Sequence, residues 1–341
     1  MQVKQKQTRS IFSFYLALMT TFLALLVVVL GAYTRLTDAG LGCPDWPGCY
    51  GHWIVPKVSA ISNQIIDSTK AWTEMLHRYL AGLLGIMIGV LAILSFRNRR
   101  FREQPLILPI VILMLVLFQA ILGMWTVTLK LFPLVVMAHL MGGMTTLALL
   151  WWLSLTLSPT HIFVLKNPKP LKHLQLWAGL GLLVLSVQIM LGGWTSANYA
   201  ALVCTDFPFC QSHLHFDLQF FKALKLTIMD LSQSYGDTAQ NVARMTIHMI
   251  HRVGAIITGL IVGGLALLLL LQRSSLLLRI LGWLILILLI IQISLGIANI
   301  LALMLLPISV AHNAVAALLL LALVTLNFSL YKNPKHSPYE K

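Results

Sequence analysis

Eight stretches of this chain are apolar enough, and long enough, to cross a lipid bilayer. A hydrocarbon core of about 30 Å needs roughly 20 apolar residues in helical form. Segments 12–34, 73–96, 106–129, 133–157, 173–197, 242–271, 276–303 and 307–331 meet that requirement. Charged Asp, Glu, Lys and Arg make up only 10% of the 341 residues, against roughly 25% in an ordinary soluble domain. The length alone would suggest two soluble domains; the composition excludes them. The sequence reads as an all-α polytopic membrane protein. The first apolar run is longer than a signal-peptide core and has no small-residue cleavage site before Arg35, so it is a retained helix. Glycines and polar residues within the runs are tolerated where neighbouring helices pack closely.

The formal net charge is +14, but the basic residues cluster in short connections rather than in a nucleic-acid footprint. Lys4, Lys6 and Arg9 precede the first run. Arg97, Arg99, Arg100 and Arg102 follow the second, Lys166, Lys169 and Lys172 the fourth, and Arg273 and Arg279 the sixth. Lys332, Lys335 and Lys341 close the chain. With eight alternating helices all of these fall on one side, which the positive-inside rule makes cytoplasmic, together with both termini. The outer connections are two long loops, 35–72 and 198–241, and two very short ones. Cys43 and Cys49 lie in the first long loop, and Cys204 and Cys210 in the second, both as C-x5-C. An oxidising bacterial periplasm favours two local disulfides there.

The matched cysteine spacing exposes a duplication. Gly31 to Cys49 aligns with Gly192 to Cys210 at an offset of 161. His77-Arg78 aligns with His251-Arg252 at 174, and Gln119, Gly123 and Ala138-His139 align with Gln292, Gly296 and Ala311-His312 at 173. The expected organisation is two four-helix halves, 1–165 and 166–341. Because four helices separate the copies, both have the same orientation and are related by an axis along the membrane normal.

Four of the eleven histidines belong to the repeat: His77, His139, His251 and His312. Each sits near the outer end of an even-numbered span, so the four rings share one depth. Polar groups in lipid are costly and mark function, and two facing histidines in a four-helix bundle form an axial pair for a haem iron. A lone intramembrane histidine could equally be a packed, hydrogen-bonded residue; four at one depth weaken that reading. Zinc is a poorer match, since each half lacks further thiolate or carboxylate ligands. Arg78 and Arg252 follow directly on two of the histidines and suit haem propionates, or else snorkel toward headgroups.

The halves differ three residues before that histidine, where Glu74 in the first half aligns with His248 in the second. Residues i and i+3 share a helix face. A protonatable carboxylate beside one tetrapyrrole and absent beside the other suggests one reactive and one redox site; alternatively, Glu74 merely complements a helix dipole. Gln119, Gln188 and Gln292 each open a Q-x-x-L-G motif, read as close helix packing at Gly123, Gly192 and Gly296. His161, His173 and His336 are expected to be cytoplasmic and solvated, the H-x-H pair His213 and His215 to lie at the outer surface rather than form a metal site, and His52 is a weaker candidate for contact with a propionate or the loop disulfide.

Glu74-x-x-His77-Arg78, His251-Arg252, Ala138-His139, Ala311-His312 and the segment GAYTRLTDAGLGCPDWPGC together resemble the haem A synthase family, over about residues 12–331. The resemblance implies oxidation of a ring methyl of haem O to a formyl group in successive steps, giving haem A for cytochrome oxidases. It implies a bacterial inner-membrane protein in which His251 and His312 ligate a resident haem b, while His77 and His139 flank the haem O substrate. Glu74 matches the family's acid near the substrate methyl, and the Cys43/Cys49 and Cys204/Cys210 pairs match loop disulfides. His248 departs from the family pattern; Arg252 and the repeat alignment favour His251 as the ligand. Implied partners are a haem O synthase and an electron-transfer partner, and a homo-oligomer is left open. Two other readings use the same residues: a di-haem b cytochrome in quinol oxidation, which leaves Glu74 unexplained, and a haem or solute transporter, which does not require four histidines at one depth.

Overall fold

The computed structural model describes residues 2–56, 67–99, 105–159, 163, 165, 172–207, 210, 219–228, 238–272 and 275–331. His161, His213, His215 and His336 fall outside these, as do many of the basic residues behind the expected orientation. The described residues contain no β-strand and form helices α1 (Gln2–Leu36), α2 (Ser68–Arg97), α3 (Ile107–Thr128), α4 (Pro133–Leu157) and α5 (Lys172–Ala197). These continue as α6 (Phe220–Ile228), α7 (Thr238–Leu270), α8 (Leu276–Leu301) and α9 (Leu306–Tyr331). All but α6 are long and apolar enough to cross a membrane, giving the eight expected spans.

Local chemistry sets several helix starts. The Asp67 side chain accepts from the Thr69 and Lys70 amides at 3.1 and 3.2 Å and so caps α2. Ser275 caps α8 by accepting from Leu278 N at 3.3 Å. Pro133 opens α4, where its missing N–H costs no helical bond.

The helices close into two rings. In one, α1 packs against α2 and α4, and α3 against the same two; in the other, α5 packs against α7 and α9, and α8 against the same two. The rings meet through α1 and α4 on one side and α5 and α9 on the other. Large side chains from both rings are fully buried in one continuous core, among them Leu147, Leu150 and Leu153 of α4, Leu265 and Leu269 of α7, and Ile285 of α8. Outward-facing Ile86, Ile107 and Leu260 are more than 60% exposed, as a lipid-facing surface requires.

Helices in lipid gain little from hydrophobic association, so polar contacts matter, at about 0.6 kcal/mol each on average. Trp151 donates to Thr325 Oγ1 at 2.8 Å, joining α4 to α9, and Asn327 donates to Ala178 O at 3.0 Å, joining α9 to α5. At the end of α1, Arg35 donates to the Tyr199 hydroxyl at 2.8 Å and to Ser196 O at 2.7 Å, and its guanidinium stacks 4.2 Å from the Tyr199 ring centroid.

Unusual backbone conformations recur at the sequence offsets. Asp38 and Tyr199, 161 residues apart, have φ of 51° and 52°. Lys130 and Leu131 (48° and 62°) match Leu303 and Met304 (48° and 62°), 173 residues on. The bonds repeat as well, with Leu131 N donating to Thr126 O at 2.7 Å and Met304 N to Asn299 O at 2.8 Å.

Helix α6 is not anticipated by apolar-run length, being nine residues long. It packs on α7 and α4. The Trp194 indole donates to Thr227 Oγ1 at 2.6 Å, and that hydroxyl lies 3.3 Å from Asn198 Oδ1.

Candidate functional site

Four glycines determine where the four repeat histidines sit. Gly31, Gly123, Gly192 and Gly296 each lie five residues before the last residue of α1, α3, α5 and α8. Each supports an imidazole from the following span. A Cβ built on Gly31 would meet His77 Cε1 at 3.0 Å; on Gly123, His139 Cε1 at 3.4 Å; on Gly192, His251 Cε1 at 3.2 Å; and on Gly296, His312 Cε1 at 3.2 Å. The close approach expected at these glycines is therefore ring against backbone. Each contact therefore lies at the same distance in sequence from the end of its helix.

His77 and His139 sit on the diagonally placed helices α2 and α4 of one ring, and His251 and His312 on the diagonally placed α7 and α9 of the other. Buried Nδ1 atoms of His77, His139 and His312 have no hydrogen-bond partner. Such orphans are rare because desolvation is uncompensated, and each calls for an explanation. Among the described residues no group of three or more His, Cys, Asp or Glu could hold a bare metal ion. Two imidazoles per ring suit an iron whose other four positions a planar macrocycle fills. The donor set thus fits haem, which His77 and His139 would hold in one ring and His251 and His312 in the other.

Both cysteine pairs are disulfide-bonded, and the two arginines hold the resulting loops. Arg78 donates to Asp45 O at 2.9 Å, Pro47 O at 3.3 Å and Gly48 O at 2.6 Å. Arg252 donates to Asp206 O and Cys204 O, both at 2.8 Å. These bonds tie each disulfide loop to the helix that carries the arginine.

Glu74 is 4% exposed. One oxygen pairs with the Arg78 guanidinium and the other accepts from Cys43 N at 2.9 Å. Its counterpart His248 is also buried. The two positions thus share burial and differ in chemistry, a carboxylate in one half and an imidazole in the other. His52 forms a backbone bridge with Cys49 and its side chain is exposed. His173 is exposed and accepts from the Trp177 indole at 3.0 Å.

Two residues of the site are missed as such by the sequence reading. The Gln188 amide nitrogen lies 3.1 Å from His251 Nδ1 and donates to His251 O at 3.0 Å. That of Gln292 lies 3.3 Å from His312 Nε2. The signal was present: each stands four residues, about one helical turn, before the glycine that seats the ring.

Residues 14–324 match the family model described as cytochrome oxidase assembly protein, COX15-CtaA. A haem A synthase of Shewanella oneidensis is 45% identical over 326 residues, which cover 93% of this chain and 96% of that protein. Haem A synthases of Bacillus pumilus and Halalkalibacterium halodurans are 30% and 28% identical over 202 and 199 residues, in each case 62% of the relative's length.

Proposed function

Since the chain belongs to the COX15-CtaA family of cytochrome oxidase assembly proteins, we propose that it is a multi-pass membrane oxidoreductase, a haem A synthase, that converts the ring methyl of haem O to the formyl group of haem A. The observation that carries this reading is the pair of half-buried imidazoles in each ring, with three of the four Nδ1 atoms lacking partners.

In this reading the C-terminal half, 166–341, holds haem b through His251 and His312. The N-terminal half, 1–165, receives haem O between His77 and His139. Haem b supplies one-electron redox chemistry for carrying electrons away from the substrate side. The chain's own residues do the rest. The lipid-embedded ring excludes water from the imidazole pair. Arg78 and Arg252 hold the disulfide loops over the outer ends of α2 and α7, where their positive charge suits haem propionates. Glu74 accepts a proton at a carboxylate oxygen as the methyl carbon loses hydrogen. Doing so requires it to loosen its bond to Arg78 or Cys43 N, which couples proton uptake to the first loop. With water as oxygen donor, each oxidation (methyl to hydroxymethyl, then hydroxymethyl to geminal diol) takes up one water and releases two protons and two electrons, the electrons leaving to the external acceptor; loss of water from the diol then gives the aldehyde. Partners in this reading are a haem O synthase upstream and an electron acceptor at the outer face of a bacterial inner membrane, with both termini cytoplasmic.

The test is expression together with a haem O–producing enzyme, followed by extraction of pigments from the purified protein. Haem b together with haem O or haem A supports the synthase. Two haem b per chain and no haem O or A would make it a di-haem cytochrome, and no haem at all would favour a transporter.

A further inference from the structure

The Q-x-x-L-G motif recurs on α3, α5 and α8, and α1 carries Val27-x-x-Leu30-Gly31 in its place. The three glutamines make different contacts. Gln188 reaches His251 because Gly254 stands opposite: a Cβ there would come within 2.3 Å of Gln188 Oε1. Gln119 turns away into space left by Gly142, where a Cβ would lie 1.8 Å from its amide nitrogen, and that nitrogen has no hydrogen-bond partner. In the second half Val315 replaces Gly142, closing that space, and Gln292 approaches His312 instead. In the first half Val27 and Leu80 replace Gln188 and Gly254. His251 Nδ1 therefore has a glutamine amide within hydrogen-bond distance, whereas the Nδ1 atoms of His77, His139 and His312 have none.

We infer that Gln188 is a positioning residue for His251, and that the Gln188/Gly254 pair against Val27/Leu80 makes the C-terminal haem a retained group and the N-terminal haem an exchangeable one. The inference rests on the haem reading above and deepens it. A neutral imidazole that gives Nε2 to a metal carries its proton on Nδ1, and a partner for that proton fixes the ring's tautomer and orientation. Gln188 already faces Nδ1, and its buried Oε1 lacks a donor. A half turn of the amide exchanges its bond to the His251 carbonyl for acceptance of the Nδ1 proton. His77, with no such partner, keeps rotational freedom suited to a site that must load substrate and release product.

The experiment uses full-length protein purified with its pigments in detergent and follows the transfer of haem to apomyoglobin. Gln188→Leu should lose haem b about 10-fold faster, at the low end of what removal of such a partner costs in affinity. It should also change the low-spin haem b signal in electron paramagnetic resonance, while the loss rate of haem O stays at the wild-type value. Val27→Gln combined with Leu80→Gly should slow the loss of haem O or haem A. Gln188→Glu, which keeps an acceptor, should retain haem b and lower its midpoint potential, and it serves if the leucine variant does not fold. Haem b retention, spectrum and potential all unchanged in the Gln188 variants would overturn the inference and leave the synthase reading intact. Wild-type protein purified without haem b would overturn both.

Discussion

The backbone N–H of Cys43 donates to Oε2 of Glu74 at 2.9 Å. A buried carboxylate one helical turn from His77 thus also secures the first disulfide loop to α2. In the proposed mechanism, proton handling and loop attachment meet in this one side chain.

Glu74→Gln separates those two tasks, because the amide oxygen can still accept from Cys43 N but cannot take up a proton at neutral pH. Haem A formation should fall at least 100-fold, within the range attributed to general acid–base groups, while haem b content stays at the wild-type level. Glu74→Ala should lose activity and loop order together. Chromatography of extracted pigments, beside a haemochrome assay for haem b, checks both variants. Undiminished haem A production by the Gln variant would remove the carboxylate from the chemistry.

Arg78→Ala removes donors to three loop carbonyls and leaves Glu74 without its cation. Breaking a buried ion pair from one side costs about 3–5 kcal/mol; since Arg78 is partly exposed, the lower end is expected. The Cys43–Cys49 bond should become markedly easier to reduce with a membrane-impermeant phosphine, as followed by thiol labelling. The Cys204–Cys210 bond, held by Arg252, should be unaffected.

Bulk at the seating glycines should act on one haem at a time. Gly192→Val drives methyl groups into the His251 ring, whose Cε1 would already lie 3.2 Å from a Cβ. Gly31→Val does the same to His77, at 3.0 Å. The first variant should be purified without haem b. The second should keep haem b and lose haem O and haem A, a difference that pigment extraction reads directly.

Replacing Cys204 and Cys210 together by serine should lower stability by about 2 kcal/mol, the closure entropy of a loop this short. Haem b content should survive, since Arg252 still donates to the carbonyls of residues 204 and 206. A thermal melt in detergent at constant haem occupancy measures the difference.

The sequence alone determined the eight apolar spans and the two cysteine pairs. Helix count follows from apolar length, and pairing follows from short, matched spacing; neither needs a distant residue. Segments 133–157 and 276–303 were found at Pro133–Leu157 and Leu276–Leu301 for that reason. The tertiary structure decided which partner each polar side chain takes. Gln119, Gln188 and Gln292 open the same motif, yet only two approach a histidine, and the difference lies in Gly142, Gly254 and Val315 on neighbouring helices. Arg78 and Arg252 were read from the sequence as partners for propionates or headgroups, and the fold engages them with loop carbonyls, which no spacing encodes. Helix α6 was too short for any apolar-run criterion and exists where Thr227 and Phe220 meet Trp194. A side chain chooses among competing partners by the space another helix leaves it, and that space is set only when the helices pack.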